Sequence, residues 1–382
     1  MKHFGSICLS LALTSAAFAD DQVSDDAGTT VGDETIIVID RAPDRDADPK
    51  ARDRERALGD APFVTIIHPE DHPATASVAD ALGASVGVQT RSLGGLGAYA
   101  SISVRGTAPG HTTVLVDGVP LARLAAVTTD LGRYSLDAFG EVDLYRGAVP
   151  VELGGAGVGG AVNLVTRLGR GEHGERVRAS LGAGSFGARH LRLAYGDAHL
   201  DGRVLSSTTL GYQAAAGDYS FFFDNGTPLN ANDDTYQTRH NNGFDQLDAA
   251  TRWGLADRSA VGGLRFAGKR QGLPGSATQP SLDATLSTID VIGDGHIDHG
   301  VATATAREQG FMLVERQRLH DPAGELGLGT QDRGYLTLSG GASSTLHAPV
   351  RRHRATAGLE LRADRFRDAD LANGGDPLTG DR

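Results

Sequence analysis

The chain has 382 residues, and 36 Lys and Arg against 48 Asp and Glu give it a formal net charge of −12. This acidic balance excludes the broad basic surface of nucleic-acid-binding proteins, so we expect no nucleic-acid partner. With 52 Gly and a single Trp, the composition favours short β-strands joined by turns over packed helices.

The first 19 residues have the layout of a secretory signal peptide. Lys2 and His3 precede an apolar run, Phe4 to Leu13, and Ala17-Phe18-Ala19 supplies a small-residue cleavage pattern. We predict cleavage after this pattern, which removes Cys8, the only cysteine. The run is shorter than the roughly 20 apolar residues of a membrane-spanning helix. No later run is apolar enough either, so a place in a membrane would require a closed β-barrel.

Residues 20–61 are expected to form an exposed linker. Asp, Arg, Glu and Lys dominate residues 41–60, a composition that cannot bury a core. One β-prone heptad interrupts the linker: Glu34-Thr35-Ile36-Ile37-Val38-Ile39-Asp40. An apolar strand in a disordered segment is either an aggregation hazard or a peptide that adds to the sheet edge of another protein. The residues of the heptad alone leave both interpretations open.

Residues 62–168 combine one short helix with several short strands. The stretch Thr75 to Leu82 predicts the helix, with Ser77 as its N-cap and Asp80 three residues later. Gly83 or Gly87 can end it. An Asp-Gly pair in the second strand motif predicts a hairpin. The strand motifs are Ser101-Ile102-Ser103-Val104-Arg105-Gly106, Val114-Leu115-Val116-Asp117-Gly118-Val119-Pro120-Leu121, Glu141-Val142-Asp143-Leu144-Tyr145-Arg146-Gly147 and Gly159-Gly160-Ala161-Val162-Asn163-Leu164-Val165-Thr166-Arg167.

In this order, the helix and the four motifs resemble the plug domain of TonB-dependent outer-membrane receptors. The resemblance implies a mixed α/β plug, followed in residues 169–382 by antiparallel strands of a 22-stranded transmembrane β-barrel. It also implies that Glu34–Asp40 is a TonB box, which pairs with the energy-transducing protein TonB. The expected function is active uptake of a scarce extracellular small molecule, such as an iron chelate or cobalamin. The expected location is the outer membrane, in contact with its lipid.

Arg105 and Arg146 each precede a glycine at the end of a motif and have two interpretations. One is ordinary charge at a strand end. The other, implied by the resemblance, is a plug–barrel lock in which plug arginines pair with carboxylates of the barrel's inner wall. We favour a lock formed by Arg105, Arg146 and Glu141, because a buried arginine almost always needs a partner.

Residues 155–160 fit the dinucleotide-binding pattern G-x-G-x-x-G. That pattern requires a helix directly after the glycines, whereas Ala161 to Thr166 is strand-like. The glycines are better explained by a tight turn. We find no nucleophile, base and acid arranged for catalysis, so we expect no enzyme activity and no cofactor.

Residues 169–382 alternate apolar and polar side chains, and we count about eight strands. Strands of about 10 residues with this alternation are typical of outer-membrane barrels, although a soluble β-sandwich alternates in the same way. Two polar segments, Asp218 to Asp245 and Gln271 to Asp283, are expected to be extracellular loops. The acidic part of the first, residues 224–234, could hold Ca²⁺, but its spacing fits no standard calcium loop. We expect a solvated loop and no metal site.

The ligand cannot be read from the sequence, because this architecture serves iron chelates, cobalamin, sugars and peptides. Candidate ligand contacts at the plug apex are Arg91, Tyr99, His111 and Arg123. The residues after 170 are too few for 22 strands of about 10 residues with their loops, so we expect an incomplete barrel. The alternatives to an uptake receptor are a non-functional truncated remnant and a ligand-sensing signalling receptor. Only residues 20–33 precede the heptad, which disfavours signalling.

Overall fold

The computed structural model describes residues 63–73, 76–121, 129–147, 149–150, 153–154, 158–169, 176–227, 229–327, 329–350 and 353–371. The predicted signal peptide, the heptad Glu34–Asp40 and the candidate residue Arg123 lie outside these ranges.

The N-terminal domain, residues 63–169, contains a mixed five-stranded sheet in the order β1-β6-β7-β4-β5, and β2 and β3 form a separate hairpin. Strands β4 and β7 run parallel, and the other neighbours are antiparallel. The elements are β1 (Val64–Ile67), α1 (Val78–Gly83), β2 (Val88–Ser92), β3 (Ala100–Val104), β4 (Thr113–Val116), β5 (Val119–Pro120), β6 (Glu141–Tyr145) and β7 (Ala161–Val165), with 3₁₀ turns at Pro69–Asp71, Pro109–His111, Leu131–Arg133 and Leu136–Ala138.

Two local predictions for this domain are confirmed. The Ser77 hydroxyl accepts a hydrogen bond from the Asp80 amide at 3.2 Å, and the Asp80 carboxylate accepts one from the Ser77 amide at 3.0 Å. This capping box starts α1. Asp117 and Gly118 both have positive φ, 52° and 81°, which a type I′ turn requires. They join β4 to β5 as the Asp-Gly pair predicts.

One apolar core holds the domain together. Val78 and Leu82 of α1 pack with Ile102, Leu144 and Leu164 from the strands, and all five are buried. Burying an aliphatic side chain of this size contributes about 1.5–3 kcal/mol. The same cluster includes Ile292 and Leu313, which belong to the next sheet, so the core continues into that sheet.

The C-terminal part forms one antiparallel sheet of nine strands, here called the large sheet, in the order β18-β17-β16-β15-β14-β13-β10-β9-β8. The mixed α/β domain followed by antiparallel barrel-type strands is the predicted fold class. The strands of the large sheet are β8 (Val177–Gly184), β9 (Ala188–His199), β10 (Val204–Ala215), β13 (Phe244–Leu255), β14 (Ala260–Gly272), β15 (Thr285–Val301), β16 (Ala304–Asp321), β17 (Gln331–Val350) and β18 (His353–Asp370). Outside the large sheet lie β11 (Tyr219–Phe223), β12 (Thr235–Arg239) and a 3₁₀ turn at Ser185–Gly187.

The prediction of about eight strands was too low. The large sheet has nine, and β11 pairs with β12 in a further hairpin. That hairpin lies within Asp218 to Asp245, which the sequence predicts to be a loop. Its strands are only five residues each and lie beside a polar Asp/Asn cluster, so neither has the longer alternation that predicts the other strands.

The large sheet buries its polar face and exposes its apolar face, which is the reverse of the arrangement in a water-soluble protein. Its polar face is buried against the N-terminal domain: Asp248 and Glu315 are each 2% exposed. On the opposite face Leu359 and Leu361 are each 67% exposed. A β-sandwich buries its apolar face, whereas a barrel in lipid exposes it. Within the described residues, no helix is both long and apolar enough to cross a membrane.

The two ends of the large sheet also differ. At one end the connections are short, at residues 200–203, 256–259 and 302–303. At the other they include residues 216–243, 273–284 and 322–330. We call these the short-turn end and the long-loop end. Short turns at one end and long loops at the other are typical of outer-membrane barrels, whose long loops are extracellular.

Candidate functional site

The interface between the N-terminal domain and the large sheet is built around Arg133. Asp130 caps the 3₁₀ turn Leu131–Arg133, because its carboxylate accepts a hydrogen bond from the Gly132 amide at 2.9 Å. The turn directs the Arg133 side chain into the large sheet. There Nη1 donates to Glu315 Oε2 at 2.9 Å, and Nη2 pairs with the Asp290 carboxylate.

All three side chains of this group are nearly inaccessible, at 6% for Arg133, 1% for Asp290 and 3% for Glu315. Burial would lower the pKa of Arg133, but Asp290, Tyr134 and Glu315 raise that pKa above its ordinary value. The guanidinium is therefore charged and is compensated by two carboxylates. Gln246 also donates to the Arg133 carbonyl at 2.8 Å.

A second group joins Asp137 to β9 and β13. Arg192 Nε lies 2.6 Å from Asp137 Oδ1, and the two Nη atoms of Arg192 bind Asp248 at 2.9 and 3.0 Å. His190 Nε2 lies 3.0 Å from the other Asp137 oxygen. Burial raises the pKa of Asp137, but Arg192 and His190 more than offset this and lower the pKa below its usual range. Asp137 is therefore ionised at neutral pH.

A third group begins at the β4–β5 turn. Arg252 of β13 lies 2.6 Å from Asp117 Oδ2 and 3.1 Å from Asp294 Oδ2. Asp117 also accepts hydrogen bonds from the amide and hydroxyl of Thr166, at 2.8 and 2.7 Å. The turn residue thus ties the hairpin, the end of β7 and the large sheet together.

Two cations of β14 complete the interface. Lys269 Nζ donates to the Gly97 carbonyl and lies 3.8 Å from Asp130 Oδ2. The guanidinium of Arg265 lies 4.6 Å from the centre of the Phe139 ring, in the geometry of a cation–π contact. Among the described residues its nitrogens have no hydrogen-bond partner.

This arrangement is suited to holding a domain in one position. Removing one partner of a buried ion pair costs about 3–5 kcal/mol, because the other charge is left uncompensated. A misplaced domain would leave several buried charges uncompensated at once. The chemistry is that of charge pairing and hydrogen bonding. Among the described residues, no group of three or more His, Cys, Asp or Glu is placed to hold a metal ion.

The predicted lock residues lie elsewhere in the N-terminal domain. The Arg105 guanidinium lies 4.6 Å from the centre of the Phe63 ring. Arg146 donates to the Val86 carbonyl at 2.8 Å and to the Thr65 hydroxyl. Glu141 starts β6, opposite Val165 of β7. The pairing of Arg105 and Arg146 with a wall carboxylate stays a prediction.

The residues that do pair across the interface were missed. Arg133, Asp137, Asp117 and Asp130 lie in turns, where a charged side chain is unremarkable. A signal was present in the large sheet, because Arg192, Asp248 and Arg252 occupy polar positions of strands that the alternation predicts. Charged residues at the inward positions of a barrel strand indicate a charged partner inside it.

Of the candidate ligand contacts, the structure describes Arg91, Tyr99 and His111. The loop after Arg91 reaches the large sheet near the long-loop end, where Gly97 lies against the Phe244 ring and binds Lys269. Tyr99 belongs to this loop, and its carbonyl accepts from the Leu93 amide at 2.9 Å. The His111 carbonyl instead accepts from the Gly159 amide at 2.9 Å.

A row of aromatic rings at the long-loop end runs from the turn Ser185–Gly187 onto strand β11 of the hairpin. Phe186, Tyr219, Phe221 and Phe223 follow one another with centroid separations of 6.2, 6.1 and 6.4 Å. In the acidic connection of the same hairpin, the Asp233 carboxylate accepts from the Thr227 hydroxyl, which lowers the pKa of Asp233.

Residues 61–161 match the TonB-dependent Receptor Plug Domain family. The N-terminal domain is such a plug. The chain is also similar in sequence to the vitamin B12 transporter BtuB of Vibrio cholerae serotype O1, with 36% identity over 110 residues, which are 29% of this chain and 18% of the transporter.

The fold of the plug and large sheet together is that of TonB-dependent receptors. The chain is similar to the ferric enterobactin receptor PfeA of Pseudomonas aeruginosa, solved as a mutant, with a TM-score of 0.59 and 14% identity over 82% of this chain and 50% of the receptor. It is similar to the copper transporter OprC, with a TM-score of 0.58 and 15% identity over 81% of this chain and 46% of OprC. The chain therefore spans half or less of these structures.

Proposed function

We propose that this chain acts in TonB-dependent uptake of a scarce ligand, such as an iron chelate or cobalamin, across the outer membrane. The observation that carries the proposal is the plug seated on the polar face of the large sheet through buried ion pairs. Inside a closed barrel, a plug held in this way would block the passage until its pairing is changed. The similarity to a vitamin B12 transporter, a ferric enterobactin receptor and a copper transporter supports the transport class.

In the proposed mechanism, ligand binds at the long-loop end, where the plug loop of Arg91 and Tyr99 meets Lys269. Ligand there alters the contacts of this loop, and the change reaches the heptad Glu34–Asp40 on the N-terminal side of the plug. The exposed heptad then adds as a strand to a sheet edge of TonB. TonB transmits energy that breaks the ion pairs of Arg133, Arg192 and Arg252 and moves the plug.

Replacing one residue of the heptad tests this proposal. Ile37→Pro removes an amide that a paired strand needs, so we expect it to abolish uptake. Ile37→Val is the matched control, because it keeps the amide and the β-branched side chain. Uptake is measured with labelled vitamin B12 and labelled ferric enterobactin in cells that lack their own receptors for both.

A measurement that does not depend on the ligand accompanies the uptake assay. Val38→Cys is cross-linked to a cysteine in TonB, both in a chain that keeps Ile37 and in a chain that also carries the Ile37→Pro substitution. Equal cross-linking in both chains would refute the TonB box. Heat-modifiable mobility of outer-membrane fractions on a gel separates an inserted receptor from a remnant, which would give no membrane-inserted species.

A further inference from the structure

A row of charged side chains crosses the outward face of the large sheet near the long-loop end. The pairing register aligns Arg189, Ala214, Asp245 and Arg270 on β9, β10, β13 and β14. Directly opposed residues of antiparallel strands point to the same face. Leu191 follows Arg189 by two residues on β9, so both side chains point to the same face, and Leu191 is exposed. The charged row therefore lies on the outward face, which also carries the band of exposed apolar side chains.

The height of the row is marked by aromatic side chains. Tyr212 lies next to the row, and its hydroxyl donates to Asp245 Oδ1 at 2.8 Å. Trp253, which is 54% exposed, lies on β13 toward the short-turn end. Tyr and Trp are enriched where a membrane meets water. These two residues thus bracket the apolar band, and the charged row lies at its long-loop edge.

A cavity of about 480 Å³ opens beside this row. Its wall includes both guanidinium-bearing residues, Arg189 and Arg270, together with the small residues Gly187, Gly243 and Gly272. The glycines have no side chain because neighbouring atoms of Ala216 and Asn241 occupy that space, and they let the strand ends pack closely at the rim of the cavity. Two guanidinium groups against the one carboxylate of Asp245 leave a net positive charge, although Asp245 and Arg270 are directly opposed. Within the described part of the chain, Arg270 forms no ion pair.

We propose that this cavity binds the phosphate-bearing headgroup of a membrane lipid. Arginine binds phosphate through two parallel hydrogen bonds. The neighbouring apolar band, in which Leu191 and Leu247 are exposed, would contact the acyl chains. A soluble anion would gain nothing from that band, which is why a lipid fits the site better than free phosphate. The inference rests on the proposed outer-membrane location and adds a lipid site at its outer leaflet.

Binding of a defined lipid to the full chain in detergent tests the proposal. The probe is diphosphorylated lipid A, compared with the same lipid after removal of its phosphates, and the dissociation constant is measured by native mass spectrometry. We expect Arg189→Gln with Arg270→Gln to weaken binding about tenfold or more, since each lost charge-assisted hydrogen bond removes at least this order of affinity. The matched control is Arg203→Gln with Arg258→Gln, an equal loss of charge in the short turns, which should leave binding unchanged.

Equal binding by the double variant and the wild-type chain would overturn the proposal. Inorganic phosphate that competes with lipid A at equal concentration would also overturn it, because the site would then be a free-anion site. Arg189→Lys with Arg270→Lys, which keeps the charge, should retain part of the affinity. The TonB cross-linking of the heptad does not depend on this cavity. Absence of cross-linking in the chain that keeps Ile37, with lipid binding intact, would therefore refute the TonB-dependent uptake and leave the lipid site standing.

Discussion

The plug core is held by apolar packing, whereas the interface between plug and large sheet adds buried ion pairs to the apolar contacts of Ile292 and Leu313. In the core, aliphatic side chains such as Leu144 and Leu164 exclude water, and any well-packed apolar set of the same volume would serve. At the interface, Arg133, Arg192 and Arg252 meet carboxylates with little access to water. Apolar burial is non-directional, whereas these pairs require defined geometry. Breaking the ion pairs should therefore weaken the seating of the plug more than its fold.

The largest effect is expected from breaking the Arg133 group. Arg133→Met leaves Asp290 and Glu315 buried without a cation and should destabilise plug seating by about 3–5 kcal/mol. Hydrogen exchange of the plug's interface amides, measured in the full chain, should rise while exchange in α1 stays slow. The triple variant with Asp290→Leu and Glu315→Leu should recover much of the protection. Unchanged exchange in Arg133→Met would show that Arg133 does not hold the plug against the large sheet.

The complementary change is made in the core. Leu144→Ala leaves a cavity in a fully buried site and should destabilise the plug by about 2–5 kcal/mol. Here exchange should rise throughout the plug, α1 included, because the fold itself is weakened. Leu361→Ala is the control, since Leu361 is exposed on the outward face. If Leu144→Ala increased exchange only at the interface amides, the proposed difference between the roles of core and interface would be wrong.

The smallest effect is expected from pH. The pKa of Asp137 is lowered in the folded protein, so its ion pairs contribute fully above its unfolded pKa of about 3.9. That contribution is lost as the pH falls through the folded pKa. The protection of the interface amides, expressed relative to their intrinsic exchange rate at each pH, should therefore fall below about pH 4, and the fall should be smaller in Asp137→Asn than in the wild-type chain. Identical pH profiles would show that Asp137 is not a seating group.

Local features of the plug were predictable because neighbouring residues determine them. The capping box of Ser77 and Asp80 and the turn of Asp117 and Gly118 depend on groups within three residues of each other. The alternation of the large sheet also follows from adjacent residues, since successive side chains of a strand point to opposite faces. The residues by themselves therefore determined the local turns and the strands with long alternation, and the resemblance of the plug motifs to TonB-dependent receptors added the fold class.

Only the tertiary structure decided which charges meet. Arg133 and Glu315 are separated by 182 positions, and Arg133 and Asp290 by 157. No local pattern links such residues, and a turn arginine looks the same whether it is solvated or buried. Tertiary structure also decided which face of the large sheet is buried and which is exposed, because the alternation of apolar and polar residues is identical for a sheet in water and one in lipid. The burial of charge against the plug and the exposure of leucines on the other face distinguish the two, since burying an unpaired charge is costly and exposing an apolar band to water is unfavourable.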